Sequence, residues 1–303
     1  MRKPEQYYRE IVTAMLAVFF VFHCVPLISK DRRPSYPYVT GDGFRACADY
    51  VYDEDICTIE VEKIRAGDVI FVKPELFEEF FHNYHPKIEH KYILITHNSD
   101  IDIPGKYACF LDDPKLIAWF GQNVYDYSHP KLIPIPIGLT NRYNPLGDPG
   151  PITAAVRAAR QRRKQRSILA YFNVNLQTNL QARQKVYDYF YPQNFCTVIT
   201  ETIPFQVYLN NVLKSKFVIS PRGNGLDCHR TWEALYLGSI PVVQRSKMDA
   251  VFDDLPVLII DAWEEVTEEF LLQKYQEFSG EKYDFSKLYM DFWQRLINSY
   301  KTL

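Results

Sequence analysis

Residues 216–243 read KFVISPRGNGLDCHRTWEALYLGSIPVV, and their order of residue types decides the fold. Lys216–Ser220 (KFVIS) is a short apolar run of strand character, and Pro221, which has no N–H to give a sheet ladder, ends it. Gly223, Asn224 and Gly225 follow, residues that tolerate positive φ and let a ligand approach the backbone closely. Asp227 is a suitable N-cap for a helix predicted over His229–Leu237. Gly238 stands where that helix would end in the left-handed region, with a new strand at Ile240–Val243 directly after it.

A strand–loop–helix unit of this kind suits a diphosphate. N–H groups at the start of the helix and in the glycine loop converge on one place, with the helix dipole behind them. Arg222 adds a guanidinium that can pair with phosphate oxygens in bidentate fashion. His229 and Glu233 are four residues apart and share a helix face, and Glu233 also neighbours Arg230. A carboxylate can accept two hydroxyl hydrogen bonds at once, as a ribose requires. The plainer alternative is that Glu233 pairs with Arg230 on the surface.

Outward from this unit, strand-like and helix-like segments alternate. DVIFVK (68–73), KYILIT (91–96), LIAWF (116–120) and LIPIPI (132–137) read as strands, with a helical pattern at ELFEEFFHNY (75–84). Further on come SILAYF (167–172) as a strand, a helix over 181–190 and a strand at PVLIID (256–261). Such alternation implies parallel sheets joined by crossover helices, here two α/β domains facing one another across a cleft. Residues 141–166, rich in Pro, Gly and charge, read as the break between halves, and the basic run Arg157–Arg166 as a solvated helix or linker. The expected division is 1–33 for a tail, signal-anchor helix and start of a stem, 34–150 for an acceptor-side domain and 151–280 for a donor domain. A terminal helix within 281–303 could pack back on the first domain.

The stretch 216–243 resembles the exostosin-like family 47 glycosyltransferases, in the Pro221-Arg222-Gly223 loop, Arg230, the Glu233-Ala234-Leu235 helix, Ser239 and Pro241-Val242. An arginine expected in the helix after the first donor strand falls on Arg183, whereas Asn173 stands where such families often have Gly. The resemblance implies a GT-B fold with two Rossmann-like domains, and inverting transfer from a UDP-sugar to a glycan or glycoconjugate hydroxyl. It further implies no essential metal and no cofactor beyond the donor itself. Donor binding is expected at Arg183, Ser220, Arg222, Gly223, Asn224, Gly225, His229, Arg230 and Glu233.

Transfer to a hydroxyl also needs a base from across the cleft. The segment THNSD (96–100) leaves the strand KYILIT at its carboxyl end, which offers His97 or Asp100, with Asp42 in the turn TGDG (40–43) as a second choice. Asp100-Ile101-Asp102 also spells the short DxD signature of metal-dependent glycosyltransferases. GDP-fucose-type fucosyltransferases, with a similar loop and helix, are one alternative. A non-catalytic, membrane-tethered scaffold on a glycosyltransferase fold is another.

Composition limits the remaining choices. With 35 Lys and Arg against 37 Asp and Glu, the 303-residue chain has a formal charge of -2, which gives no electrostatic case for nucleic acid. Its six cysteines form no CxxC pair, so zinc has no support, and only Cys47 and Cys57 are close enough in sequence to suggest a disulfide. Residues 11–28 (IVTAMLAVFFVFHCVPLI), flanked by Arg2, Lys3, Arg9 and then Lys30, Arg32 and Arg33, are just long enough for a spanning helix. They imply an uncleaved single-pass membrane anchor, in the Golgi if the source is eukaryotic.

Overall fold

Val69–Val72 and Tyr92–Thr96 are buried along their whole length, as apolar runs without alternation require of strands covered on both faces. They are β2 and β3 of the first of two sheets in the computed structural model, which describes residues 30–161 and 166–302. The first sheet adds β1 (Tyr50–Tyr52), β4 (Leu116–Gly121) and β5 (Leu132–Pro134), in the spatial order β1-β2-β3-β4-β5 with every pair parallel. The expected helix over 75–84 is a chain of short turns instead: Pro74–Leu76, Phe77–Glu79, a π-turn at Phe80–Tyr84 and His85–Lys87. Phe77, Phe80 and Phe81 are buried there, so packing of bulky rings sets the winding rather than helix propensity.

The second sheet contains β6 (Ile168–Asn173), β7 (Cys196–Ile199), β8 (Ser215–Ile219), β9 (Ile240–Gln244) and β10 (Leu258–Ile260), ordered β10-β9-β8-β6-β7, again all parallel. The chain moves from β6 outward to β7 and then returns to the other side of β6 with β8. That reversal leaves a crevice beyond the carboxyl ends of β6 and β8, the place where open α/β sheets take ligands. Two parallel five-stranded sheets with helices are the architecture the alternation predicted. The reversal belongs to the second sheet alone; the first runs in sequential order.

Seven helices matter for the site. In chain order they are α1 (Gly41–Arg45), α2 (Pro149–Gln161), α3 (Leu180–Phe190), α4 (Phe205–Lys214), α5 (His229–Tyr236), α6 (Glu268–Gly280) and α7 (Met290–Ser299). Helix α2 occupies what reads as a linker in the sequence. Pro149 and Pro151 are tolerated because they fall in the first turn, and Ile152, Ala155 and Val156 bury a face in the core. Arg166 also departs from the solvated reading. Its guanidinium donates to the carbonyls of Leu213 (3.1 Å), Ser215 (2.8 Å) and Leu237 (2.8 Å) and to Ser239 Oγ (2.8 Å). It thereby satisfies carbonyls where α4 and α5 end.

From Arg33 onward the chain forms one compact unit; one core cluster runs from the first sheet to Trp232, Leu235 and Leu237 of α5 and its end, and a second, around Phe172, Phe217 and Leu271, packs the second sheet. The α7 segment returns to the first lobe: Met290 N–H donates to Pro37 O at 3.0 Å, Trp293 packs edge-on against Phe44, and Tyr300 against Phe120. Tyr236 bridges the lobes by accepting from Val39 N–H at 3.0 Å and donating to Leu288 O. Cys47 and Cys57 are free thiols rather than a disulfide. The expected anchor at 11–28 lies outside the described residues, among which no helix is long and apolar enough to cross a membrane.

Candidate functional site

The loop between β8 and α5 lies over the β6/β8 crevice. A cavity of about 860 Å³ opens there, walled by Asn173–Thr178 after β6, Thr200–Ile203 after β7, and Gly223–Gly225, His229, Arg230 and Glu233 after β8. The first lobe closes it with Asp100, Ile137, Thr140 and Leu146. That volume is in the range of a drug-sized or nucleotide ligand.

The loop achieves its shape by close approach, not by left-handed backbone. Neither Gly223 nor Gly225 has positive φ. A Cβ on Gly225 would lie 2.6 Å from the amide of Asn123, and one on Gly223 would lie 3.1 Å from Arg183 Nη2. Gly238 does have φ +73° at the end of α5, as predicted. Asp227 is not the N-cap: that position is Cys228, without a side-chain cap. The Asp227 carboxylate accepts from Ile137 N–H (2.8 Å), Trp232 Nε1–H (2.7 Å) and Cys228 N–H (2.8 Å), tying the loop to the first lobe. Burial lifts its pKa to about 6 against the pull of those donors. With no capping side chain, the N–H groups of His229 and Arg230 have no acceptor among the described residues. They stand open at the positive end of α5.

Two arginines flank this end. Arg230 donates to Asn173 O (3.2 Å), Ser220 Oγ (3.3 Å) and Pro221 O (3.4 Å). Buried Arg183 donates to Arg222 O (3.0 Å) and Asn175 O (2.6 Å), stapling the β6 loop to the β8 loop. Burial first, and the nearby Arg230 second, push the Arg183 pKa down. Neither guanidinium forms an ion pair with a carboxylate among the described residues. Two recessed cations without a paired carboxylate leave positive charge beside the cavity, of the kind an anion could neutralise.

Glu233 is recessed in the wall one helical turn on. Tyr208 donates to its Oε2 at 2.8 Å, and the surface pairing with Arg230 does not form. Burial raises the Glu233 pKa, opposed by Tyr208, His229 and Arg230. Tyr208 carries no sequence signal of a site, being one apolar-face residue of α4, and was not among the expected ligands.

Arg222 and Ser220 require correction. Arg222 leaves the loop on the opposite flank, where Nη2 donates to Asn224 O at 2.7 Å and the guanidinium lies 5.9 Å from the Tyr125 ring centre. It lines a separate cavity of about 1030 Å³ together with Lys185, Arg245 and Lys247. Arg183 and Arg230 line the first cavity, and Arg222 does not. Ser220 lines that same separate cavity, and its hydroxyl meets Thr231 (2.9 Å) and accepts from Arg230 (3.3 Å).

His97 is also corrected. It is buried on Phe44, and both ring nitrogens are engaged: Nε2 with Pro136 O (3.0 Å), Nδ1 with the N–H of Asn98 (2.7 Å). Desolvation lowers its pKa to about 4, so it is a neutral structural histidine with no nitrogen for an acceptor proton. Asp42 is buried at the start of α1 and accepts from Asn98 Nδ2 at 3.2 Å. Asp100 is exposed at the cleft and accepts from Asn224 Nδ2 of the β8–α5 loop at 3.2 Å. Asp102 is not in that wall, and among the described residues no group of three or more His, Cys, Asp or Glu could hold a metal.

Comparison with known proteins bears on this loop directly. Residues 172–294 match the RXYLT1 C-terminal domain. The match takes in β7 to β10, the β8–α5 loop and the first half of α7, less than half of the chain. The motif at 216–243 lies inside this matched segment, so the segment is similar to an exostosin-like glycosyltransferase domain, without singling out family 47. A comparison with curated proteins finds no match. Solved structures with a similar chain path are distant. UDP-GlcNAc 2-epimerase from Methanocaldococcus jannaschii is 9% identical over 76% of this chain and 77% of that one, at TM-score 0.34. The GtfA/B complex is 12% identical over 80% and 59%, at 0.39. Starch Synthase IV from Arabidopsis thaliana, bound to ADP and acarbose, is 12% identical over 78% and 69%, at 0.30.

Proposed function

We propose that the chain is an inverting glycosyltransferase that moves a sugar from UDP to a hydroxyl of a glycan or glycoconjugate. One observation carries the reading: Arg183, Arg230 and the open start of α5 meet at one end of a cavity whose wall also holds Glu233. The diphosphate belongs at the guanidiniums and free N–H groups, and the ribose hydroxyls at Glu233. The nucleobase belongs against Thr200–Ile203 and Phe205. The choice of UDP rests on the resemblance of the loop.

As the bond from the sugar to the diphosphate breaks, negative charge grows on the leaving oxygen. Groups already aimed at that oxygen lower the barrier, because they need no reorganisation at the moment of reaction. Arg230 and the α5 N–H groups are such groups, and they supply positive charge without a metal or other cofactor. Acceptor enters from the first lobe past Asp100, whose exposed carboxylate can receive an acceptor hydroxyl. The apolar run at 11–28 supports placing the enzyme on a membrane as a single-pass protein.

Thermal unfolding with UDP, GDP and ADP tests the donor, since a ligand of the folded state stabilises it by RT ln(1 + [L]/Kd). The expected result is a shift with UDP that exceeds the other two and persists in EDTA. A larger shift with GDP would favour a fucosyltransferase, and no shift with any nucleotide would favour the scaffold. Strict dependence of sugar transfer on Mn²⁺ would count against the leaving-group assignment.

A further inference from the structure

His229 lies at a junction. It lines the donor cavity beside Arg230 and Glu233, and it also lines a smaller cavity of about 260 Å³ on the side of the first lobe. The walls of that smaller space are rich in amides and hydroxyls, among them Asn98, Ser99, Asn141 and Tyr143. Such a lining suits a polyhydroxylated ligand and not an apolar one.

The imidazole is fixed in one tautomer by its partner. Its Nδ1 is 2.7 Å from Gly138 O. A carbonyl only accepts, so Nδ1 carries the hydrogen and Nε2 carries a lone pair. That lone pair has no partner among the described residues. Gly138 is itself held: its φ is +65°, and a Cβ there would lie 2.2 Å from Val39 O. A rigid backbone carbonyl thus fixes the ring of a histidine that lines both cavities and leaves its second nitrogen unpartnered.

Of the other groups near the seam, two are committed, and Asp100, which also lines both cavities, stays open to hold an acceptor hydroxyl. His97 has both nitrogens engaged, Asp42 is buried beneath Asn98, and Asp100 is at the exposed edge with Asn224.

We propose that His229 is the general base of the transfer, taking the proton of an acceptor sugar hydroxyl on Nε2. This rests on the donor reading above. The acceptor oxygen forms its bond to the anomeric carbon while its proton passes to Nε2. The bond from that carbon to the diphosphate oxygen breaks, and its electron pair leaves on UDP, facing Arg230. The imidazolium, four residues before Glu233 on the same helix face, is stabilised by that carboxylate and returns its proton to water when product leaves.

The test uses the full chain and His229→Asn, whose amide N–H can still donate to Gly138 O but which has no second nitrogen. UDP release is followed from a panel of UDP-hexoses and UDP-pentoses with methyl glycosides as acceptors. UDP affinity is measured separately. The expected result is a fall in kcat of about 10²–10⁴-fold, with UDP affinity and the donor KM unchanged. Undiminished turnover in the variant overturns the base assignment alone. Loss of UDP affinity in the variant overturns it too, by making His229 a donor ligand. Failure of the wild-type chain to bind UDP overturns the donor reading and the base with it. A second measurement needs no turnover: long-range proton–nitrogen spectra of the chain labelled at histidine, with the variant identifying the His229 signals. A bare Nε2 supports the assignment, and an Nε2–H tautomer overturns it.

Discussion

Glu233 is the residue whose replacement speaks most directly to the donor. Its Oε2 is already taken by the Tyr208 hydroxyl at 2.8 Å, which fixes the carboxylate in the cavity wall and leaves Oε1 to accept from a ligand. A hydrogen bond from a ribose hydroxyl to a charged acceptor contributes about 1.5–3 kcal/mol, and one to a neutral acceptor about 0.5–1.5 kcal/mol. Glu233→Ala should therefore weaken UDP binding by roughly 10–150-fold, and Glu233→Gln by about 5-fold, at 1.4 kcal/mol per decade. Both variants should remain folded, because the side chain faces the cavity and only Tyr208 loses a partner.

Calorimetric titration with UDP and with 2′-deoxy-UDP turns this into a cycle. If Glu233 holds the ribose, deoxy-UDP binds the wild-type chain more weakly than UDP does, and Glu233→Ala binds the two alike. The coupling energy between residue and hydroxyl is then the quantity measured. Losses that simply add, or wild-type affinity for UDP in Glu233→Ala, would refute the placement of the ribose.

Two further expectations concern stability. His97, depressed to about 4, contributes stability that is present above its unfolded value and lost as pH falls through the window from about 6.5 to 4. Asp227, raised to about 6, contributes stability that is present below about 4 and lost as pH rises through 6. Each contribution is of order 3 kcal/mol at 1.36 kcal/mol per decade. Glu233, raised as well, falls on the side of Asp227. Urea unfolding between pH 4.5 and 6.5 should thus show a shallow profile for the wild type, one that rises more with pH for Asp227→Asn and falls more for His97→Gln; unchanged slopes in both variants would refute the opposition. Arg166→Ala, by removing the donor to carbonyls at the ends of α4 and α5, should cost about 2–4 kcal/mol of stability and lower the melting temperature while leaving the Kd for UDP unaltered; a loss of UDP affinity at low temperature would contradict a purely structural role.

The donor unit was readable because its signals are local. An apolar run, a proline, a glycine loop and a glycine after the helix each constrain neighbouring φ and ψ, and β8, α5 and β9 lie within a residue or two of where those signals put them. Which arginine lines the cavity beside Glu233 was not readable. Arg222 and Arg230 are both beside the loop in sequence, and only the path of the backbone through Gly223 and Gly225 sends them to opposite flanks. Asp227 was misread for a related reason: its partners Ile137 and Trp232 lie one in the other lobe and one on the far side of the cap. The short strands β1 and β7 have three and four residues, too few to set a period. The prolines of α2 read as a break because sequence alone does not tell a first turn from a helix interior.

Tyr236, Trp293 and Tyr300 give the lobes a shared seam, so this protein is not a pair of interchangeable cartridges. A designer who wishes to retarget the acceptor by grafting a relative's amino-terminal half would inherit a mismatched lining for Tyr236 and for the last helix, which reach across to Val39, Phe44 and Phe120. Trimming or bulky tagging at the carboxyl end would strip the same joint from the opposite direction. Retargeting is better attempted through Tyr143 and Asn144, which border the smaller space outside the joint between the halves, than through Asn141, which is buried and holds Asp42 and Asn98.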